Sequence, residues 1–219
     1  REKYIFNLTA RRDGSSRFGS NNSFNSFGAV GAAWLFSEEP FIKNNLSILS
    51  FGKLRGSYGT TGNDQIADYQ FLDLYNPITF GVPYQGGTGL IVNRLTNPYL
   101  QWEETRKLQV GLELGFINDR VLIVGNYVRN TSSNQLLEYV LPSSTGFLSI
   151  LTNFPATVRN AAFEFSLNTS NVNTKGFKWN TNFNLTIPKN KLVAFPDISS
   201  SPYADLYIIG QPLSAIRAY

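Results

Sequence analysis

The residue types that most often do chemistry in proteins are scarce in this chain. Its 219 residues include no histidine, cysteine or methionine, so the usual ligands of zinc, copper and haem and the usual general base are missing. Two pairs of adjacent carboxylates occur, Glu38–Glu39 and Glu103–Glu104. Neighbouring residues of a strand point to opposite faces, so neither pair converges on a substrate. We interpret them as solvated or turn-capping acids and expect no catalytic residue, no metal site, no cofactor and no enzyme activity.

Phosphate and nucleic-acid sites are equally poorly supported. The glycine-rich stretch Gly86–Gly89 is not followed by the Gly-Lys-Ser/Thr of a phosphate-binding loop. The chain carries a net charge of +4, but its 19 basic residues are scattered, with no cluster beyond Arg11–Arg12. A nucleic-acid site would concentrate such charge on one face. We therefore expect no nucleic-acid partner.

Binding chemistry is better represented than catalysis. Aromatic residues in long, glycine-rich and asparagine-rich segments are the candidates for contact with a ligand or a covering partner, because aromatic faces and amides suit sugar rings or peptides. The same rings could instead form a local core between loops, and the sequence leaves both interpretations open. The candidates are Tyr69, Tyr75, Tyr84, Tyr99 and Trp102.

The elements that would position these residues are strands. Only 16% of the residues are charged, against ~25% in soluble domains, and the dominant pattern alternates apolar with polar residues. From Phe177 to Ile187, aromatic and aliphatic side chains occupy one side and mostly asparagine the other. The pattern predicts about seven strands, each close to the ~9–11 residues that cross a bilayer. The segments are 4–11, 27–36, 53–58, 107–116, 121–129, 163–168 and 177–187.

The connectors indicate how the strands run. Tight turns at Ile117–Asp119 and Asn173–Gly176 and a medium connector at 37–50 alternate with long segments at 12–23, 61–104, 131–161 and from Pro188 onward. Outer-membrane barrels place short turns at the periplasmic end and long loops outside. No run of 18 apolar residues, as a membrane helix needs, occurs. We therefore predict an all-β fold, an antiparallel transmembrane β-barrel segment; a secreted carbohydrate-binding β-sandwich is the alternative.

Strand parity assigns the two faces of such a barrel. The apolar rows face lipid and the polar rows face the lumen. Aromatic residues beside the short turns are predicted to lie at the membrane interface; they are Trp34, Phe36, Phe116, Phe177 and Trp179. The predicted lumen-facing residues are Lys53, Arg55, Ser57, Gln109, Glu113, Asn180, Asn182 and Asn184.

Several longer stretches occur in an order typical of one family. The chain resembles the SusC/RagA family of TonB-dependent outer-membrane transporters in RRDGSSRFG at 11–19, SEEPF at 37–41 and KLRGSYGTTGND at 53–64. The resemblance continues in NPYLQWEETRKLQVGLELGFINDRV at 97–121, NYVRNTSSNQLL at 126–137, LPSSTGF at 141–147 and IIGQPLSAIRAY at 208–219.

The resemblance implies a barrel of roughly 22 strands that is occluded by a plug. It further implies TonB as energy source, a SusD-like surface lipoprotein as lid, oligosaccharides or oligopeptides as substrates, and contact with outer-membrane lipids. We expect residues 1–219 to form part of the barrel of a larger transporter, with the plug domain and the TonB box absent from this chain. The expected function is nutrient import across the bacterial outer membrane.

Overall fold

Seven long strands form the body of the protein. The computed structural model describes residues 3–78 and 87–216, and the strands pair in one antiparallel sheet in the order β1-β2-β3-β6-β7-β10-β11. These strands are β1 (Tyr4–Gly14), β2 (Phe24–Trp34), β3 (Leu49–Asn63), β6 (Glu103–Phe116), β7 (Val121–Ser133), β10 (Thr157–Asn173) and β11 (Lys178–Ala194). Consecutive long strands are neighbours throughout, as in an up-and-down barrel wall.

Four short strands lie inside the long connectors. β4 (Tyr75–Pro77) pairs with β5 (Leu90–Val92), and β8 (Gln135–Val140) pairs with β9 (Ser149–Phe154). These two hairpins were not predicted from the sequence, which marked both regions only as loops. The connector between β2 and β3 holds a six-residue helix, α1 (Pro40–Asn45). No helix among the described residues is long and apolar enough to cross a membrane.

The connectors define the two ends of the sheet. We call the end that carries segments 15–23, 64–102, 134–156 and 195–216 the outer end, and the end with 35–48, 117–120 and 174–177 the inner end. The turn at 117–120 is tight, and Ile117, Asn118 and Asp119 all have positive φ. Asp119 Oδ1 accepts a 2.7 Å hydrogen bond from the Ser50 hydroxyl, which fixes this turn to the start of β3.

Register divides the sheet into an apolar and a polar face. Residues directly opposite each other in an antiparallel ladder project to the same side. Leu54 faces Leu112, which faces Gly125 on the next strand, and Phe165 and Leu185 continue that row. The side that carries this row is the apolar face. Lys53 and Glu113 form a pair one residue away and lie on the opposite, polar face.

The seven predicted strand segments are confirmed, but several of their bounds are wrong. β3 begins four residues before the predicted start and ends five residues after the predicted end, while β2 ends at Trp34 rather than at residue 36. The proline at 188 does not end β11, which continues to Ala194. Pro188 lies opposite Ala162, and pairing with β10 continues on both sides of it, because a proline removes a single donor from the ladder.

Candidate functional site

A charged cluster occupies the middle of the polar face. The Arg55 guanidinium donates through Nε to Glu113 Oε1 at 2.9 Å and through a terminal nitrogen to Asn126 Oδ1 at 2.7 Å. Lys53 Nζ lies 3.9 Å from the same Glu113 oxygen. The three elements involved are the adjacent strands β3, β6 and β7. The structure therefore brings three of the predicted lumen residues, Lys53, Arg55 and Glu113, into one network.

Asn126 is a member of this network that the sequence did not identify. Its strand begins with apolar residues on both sides, at Val121–Val124, so alternation gave no polar side for it. The usable signal is register, because Gly111 lies opposite both Arg55 and Asn126. A glycine between two polar residues leaves the space in which their side chains meet.

A shallow groove lies beside the cluster. It is formed where β2 presents Gly31 and Ala33 to the polar face, and Asn7, Ser57 and Gln109 complete its polar rim. Ser57 and Gln109 face each other across β3 and β6. The groove combines small apolar residues with amide and hydroxyl groups beside a guanidinium, so it offers hydrogen-bonding partners next to an apolar surface.

Gly111 is the residue on which the geometry of the cluster depends. A Cβ at this position would lie 2.7 Å from Asn126 Oδ1 and 2.9 Å from Arg55 Nε. Gly125, on the neighbouring strand, has no atom within 4 Å of the corresponding position. The two glycines therefore form a matched pair, one crowded on the polar face and one open on the apolar face.

We expect Gly111→Ala to destabilise the full-length protein by about 1–3 kcal/mol, since an inserted methyl group must displace the network. Gly125→Ala is the control and is expected to be neutral or stabilising by up to ~1 kcal/mol, because it only reduces backbone freedom in the unfolded chain. Chemical denaturation of both variants in the same detergent measures the difference. Equal effects of the two substitutions would contradict the assigned role of Gly111.

The three predicted asparagines of β11 lie on the same face as the cluster but are separate from it. Only β10 lies between β11 and β7, the strand of Asn126, so two strand spacings, roughly 10 Å, separate the asparagines from the nearest member of the cluster. Asn184 accepts a hydrogen bond from the Ser166 hydroxyl, and Asn182 and Asn180 lie opposite Asn168 and Ser170. They extend the polar face as a row of amides and hydroxyls.

The predicted loop residues divide into exposed and buried rings. Tyr69, Tyr75 and Tyr99 are exposed, Tyr99 with 82% of its surface. Tyr84 lies outside the described residues. Trp102 is only 8% exposed, so its ring is not available to a ligand in this structure. Trp102 is therefore part of a local core between loops, and its prediction as a residue that contacts ligand or lid is wrong for this structure.

Two small cores hold the outer segments together. The first surrounds Trp102 and contains Phe18, Phe27 and Leu100, with Leu136 and other side chains at its edge. The second comprises residues of β9, β10, β11, the link between β9 and β10, and the segment after β11. They are Phe154, Ala156, Val158, Leu192 and Phe195, flanked by Tyr139, Ile198, Tyr203 and Tyr207. The sequence did not indicate this second cluster, because its members come from separate strands and connectors.

The predicted interface aromatics lie at or next to the inner end. Tyr4 and Trp34 stack with ring centroids 6.4 Å apart, and Phe36 meets Trp34 edge to face at 5.8 Å. Phe116 ends β6, and Phe177 and Trp179 lie at the start of β11. Their assignment to a membrane interface remains a prediction from these positions.

Glu39 organises the polar edge of this aromatic group. Its carboxylate accepts hydrogen bonds from Lys3 Nζ at 3.1 Å, from the Tyr4 hydroxyl at 2.9 Å and from Trp34 Nε1 at 3.3 Å. The expected solvated or turn-capping role is wrong for this residue, because three donors converge on it, one just before β1, one in β1 and one in β2. The hydrogen bond from Lys3, followed by those from Tyr4 and Trp34, lowers the pKa of the Glu39 carboxyl below its ordinary value.

The lowered pKa of Glu39 predicts an acid-sensitive contact. The stabilisation is present above the ordinary glutamate pKa of about 4.3 and is lost as the pH falls through the lower value in the folded state. We expect the fluorine resonance of fluorotryptophan at position 34 to shift in that acid range, and Glu39→Gln to abolish the shift. Glu38→Gln is the control, because Glu38 pairs with Lys43 at 3.5 Å instead. A shift that persists in Glu39→Gln would contradict the assignment.

These observations define a class of protein. The sheet is part of the wall of an antiparallel barrel, with one apolar and one polar face and with connectors that segregate by length apart from 35–48. A sequence model of the family described as TonB dependent receptor-like, beta-barrel, matches residues 1–216. The chain belongs to this family, whose members are outer-membrane transporters rather than enzymes. The secreted β-sandwich alternative is therefore wrong.

Named relatives and solved structures agree with this family. The chain is 37% identical over 210 residues to TonB-dependent receptor P26 of Formosa agariphila, covering 95% of this chain and 20% of that protein. It is 34% identical over 208 residues to TonB-dependent receptor SusC of Bacteroides thetaiotaomicron, covering 92% and 20%. The RagAB peptide importer in its closed-closed state superposes with a TM-score of 0.85 at 26% identity, over 96% of this chain and 23% of that one. The chain thus spans about one fifth of the length of these relatives.

Proposed function

We propose that this chain is part of a transporter that imports oligosaccharides or oligopeptides across the outer membrane with energy supplied through TonB. The observation that carries the proposal is the division of the sheet into a lipid-compatible face and a hydrogen-bonding face. An importer of polar oligomers needs an inner wall that carries hydrogen-bonding groups. A surface that contacts lipid or packs against another sheet does not need such groups. The relatives support it, since one is SusC and the solved structure is of a peptide importer.

The polar face would serve passage rather than bond chemistry. Glu113 lies 2.9 Å from Arg55 and 3.9 Å from Lys53 and offsets part of their charge, so the wall around them binds a passing anionic group less tightly than two free cations would. Ser57, Gln109 and Asn182 supply uncharged donors and acceptors that can exchange partners with water. A wall of this kind allows polar ligands to bind weakly and to leave.

The outer segments would supply capture surfaces. The exposed rings of Tyr69, Tyr75 and Tyr99 are the proposed contacts for ligand or lid, since they combine apolar faces with polar tips. We propose a SusD-like lipoprotein as the covering partner, by analogy with the SusC and RagAB relatives. The plug and the TonB-binding segment are proposed to lie in the rest of the transporter, outside the 219 residues of this chain.

The test compares uptake in cells with and without the gene that encodes the whole transporter. Fluorescent oligosaccharide and oligopeptide mixtures are supplied in parallel, and uptake is measured in the wild-type strain, the deletion strain, the complemented strain and a strain without TonB. We expect one of the two mixtures to enter only when both the transporter and TonB are present. Uptake of both mixtures that is unchanged by either deletion would overturn the proposal.

A further inference from the structure

A group of cations crosses four strands on the apolar face near the outer end. Arg106 lies opposite Thr131, which lies opposite Arg159, which lies opposite Lys191, so these residues form one row. In the next row toward the inner end, Leu108 lies opposite Arg129, followed by Ala161 and Lys189. We call Arg106, Arg129, Arg159, Lys189 and Lys191 the cationic belt.

The belt lies on the same face as the lipid-compatible rows. Continuing along β7, Tyr127 and Arg129 share one side, as do Ile187 and Lys189 on β11, since alternate residues of a strand project together. The residues that alternate with the belt point to the polar face. Asn160 of β10 and Asn190 of β11, each next to a belt residue, form a 2.6 Å hydrogen bond on that face. The belt therefore directs its charge outward, not into the lumen.

The position of the belt matches the edge of a bilayer. On β6 the apolar side chains of this face run over residues 108–116, about 27 Å of strand before tilt is considered. Arg106 is the next residue of this face beyond Leu108, and Lys189 is the next residue of the same face beyond Ile187 on β11. At the opposite edge the corresponding positions are aromatic or uncharged: Phe116, Val121, Thr169 and Thr181.

Most of this charge has no counterion within the described part of the chain. Arg106 Nε donates to Glu104 Oε1 at 2.8 Å, and no salt bridge is formed by the other four cations among residues 3–78 and 87–216. Arg159 Nε is enclosed and lacks a hydrogen-bond partner. Cations two residues or one strand apart repel one another, so the grouping of five cations in two adjacent rows favours an external anion that offsets the repulsion.

We propose that the cationic belt binds phosphate groups of lipids in the outer leaflet of the outer membrane. Three of the five cations are arginines, whose planar guanidinium can donate two parallel hydrogen bonds to phosphate oxygens. Neighbouring cations are roughly 5–10 Å apart across the ladder, so a lipid with two phosphates can contact two of them at once. Each basic residue near an anionic membrane surface strengthens binding by roughly fivefold. The proposal rests on outer-membrane location and does not depend on the imported substrate.

The test uses the full-length transporter and lipid A as probe. A variant with Arg106, Arg129, Arg159, Lys189 and Lys191 all replaced by Gln is compared with the wild type and with Lys43→Gln/Lys175→Gln, which removes exposed charge at the inner end. Native mass spectrometry counts bound diphosphoryl lipid A and its dephosphorylated form. We expect the belt variant to bind diphosphoryl lipid A at least tenfold less, and the wild type to prefer the diphosphoryl over the dephosphorylated form.

Two further measurements keep the result interpretable. Replacement of the three arginines by Lys preserves charge and is expected to keep most of the binding, which separates loss of charge from loss of folding. Binding by the wild type is expected to fall as salt rises, since exposed charge pairs are screened. Equal binding of both lipid forms by the wild type, or unchanged binding by a folded belt variant, would overturn the proposal.

Discussion

Leu112→Arg is expected to lower the free energy of unfolding of the full-length transporter by about 2–4 kcal/mol, the cost of an arginine at the midplane of a barrel's lipid face. Leu112 lies midway between Leu108 and Phe116 and is flanked in register by Leu54 and Gly125. A guanidinium there is roughly four residues from either edge of the apolar band, so its side chain reaches headgroups only at the expense of distortion.

The control for this prediction is Gln109→Arg on the same strand. Gln109 is exposed on the polar face, opposite Ser57 and Val128, and an arginine there remains hydrated. We expect a change within about 0.5 kcal/mol, as for surface substitutions. Denaturant titration of protein reconstituted in phosphatidylcholine vesicles, followed by electrophoretic mobility, measures both variants. Equal destabilisation by the two arginines would show that the faces have been assigned wrongly.

Trp102→Ala is expected to have a comparable effect confined to the outer segments, about 3–5 kcal/mol for loss of a buried tryptophan. The ring packs against Phe18 at 5.3 Å and Phe27 at 5.8 Å between centroids. Its removal leaves a cavity between segments 15–23 and 64–102, so we expect their amides to exchange faster with solvent while the long strands stay protected. Hydrogen exchange of the full-length protein, read by mass spectrometry, measures this directly.

Two neighbouring variants test the cause of that effect. Tyr99→Ala removes an exposed ring three residues away and is expected to change stability by no more than about 0.5 kcal/mol. Trp102→Phe keeps an aromatic ring and removes an indole N–H that is buried without a partner. Removal of this unsatisfied donor contributes about 1–3 kcal/mol and offsets part of the lost packing energy. We therefore expect Trp102→Phe to lower stability much less than Trp102→Ala. Similar amide hydrogen exchange in Trp102→Ala and Tyr99→Ala would contradict a core role for Trp102.

The strands and their faces could be predicted from the sequence because a period of two residues is a local property. Phe163, Phe165 and Leu167 alternate with Glu164 and Ser166, and the register confirms that these sets face opposite sides. The local rule failed where a strand begins with apolar residues on both faces, as β7 does at Val121–Val124, and for this reason Asn126 was missed. It also failed to give the ends of strands. Residues such as Lys191 continue the ladder of β11, although the alternation of apolar and polar residues has already ended at Ile187.

The outer segments could not be predicted in the same way, because their cores join residues that are far apart in sequence. Phe18 and Trp102 lie in different connectors, and nothing local distinguishes the buried Trp102 from the exposed Tyr99. The hairpins β4–β5 and β8–β9 were missed for a related reason, since strands of three and six residues carry too short a pattern. Contacts between connectors, not propensity, decide this part of the fold.

The β8–β9 hairpin contributes side chains to both outer cores, Leu136 and Leu151 to one and Phe154 and Tyr139 to the other. All four outer segments are thereby coupled through a single shared element. Removing or grafting any one of them would disturb the other three, so a binding defect in such a chimera would not locate the contact in the exchanged segment. Single exposed side chains such as Tyr99, rather than whole segments, are the units in which this surface can be dissected.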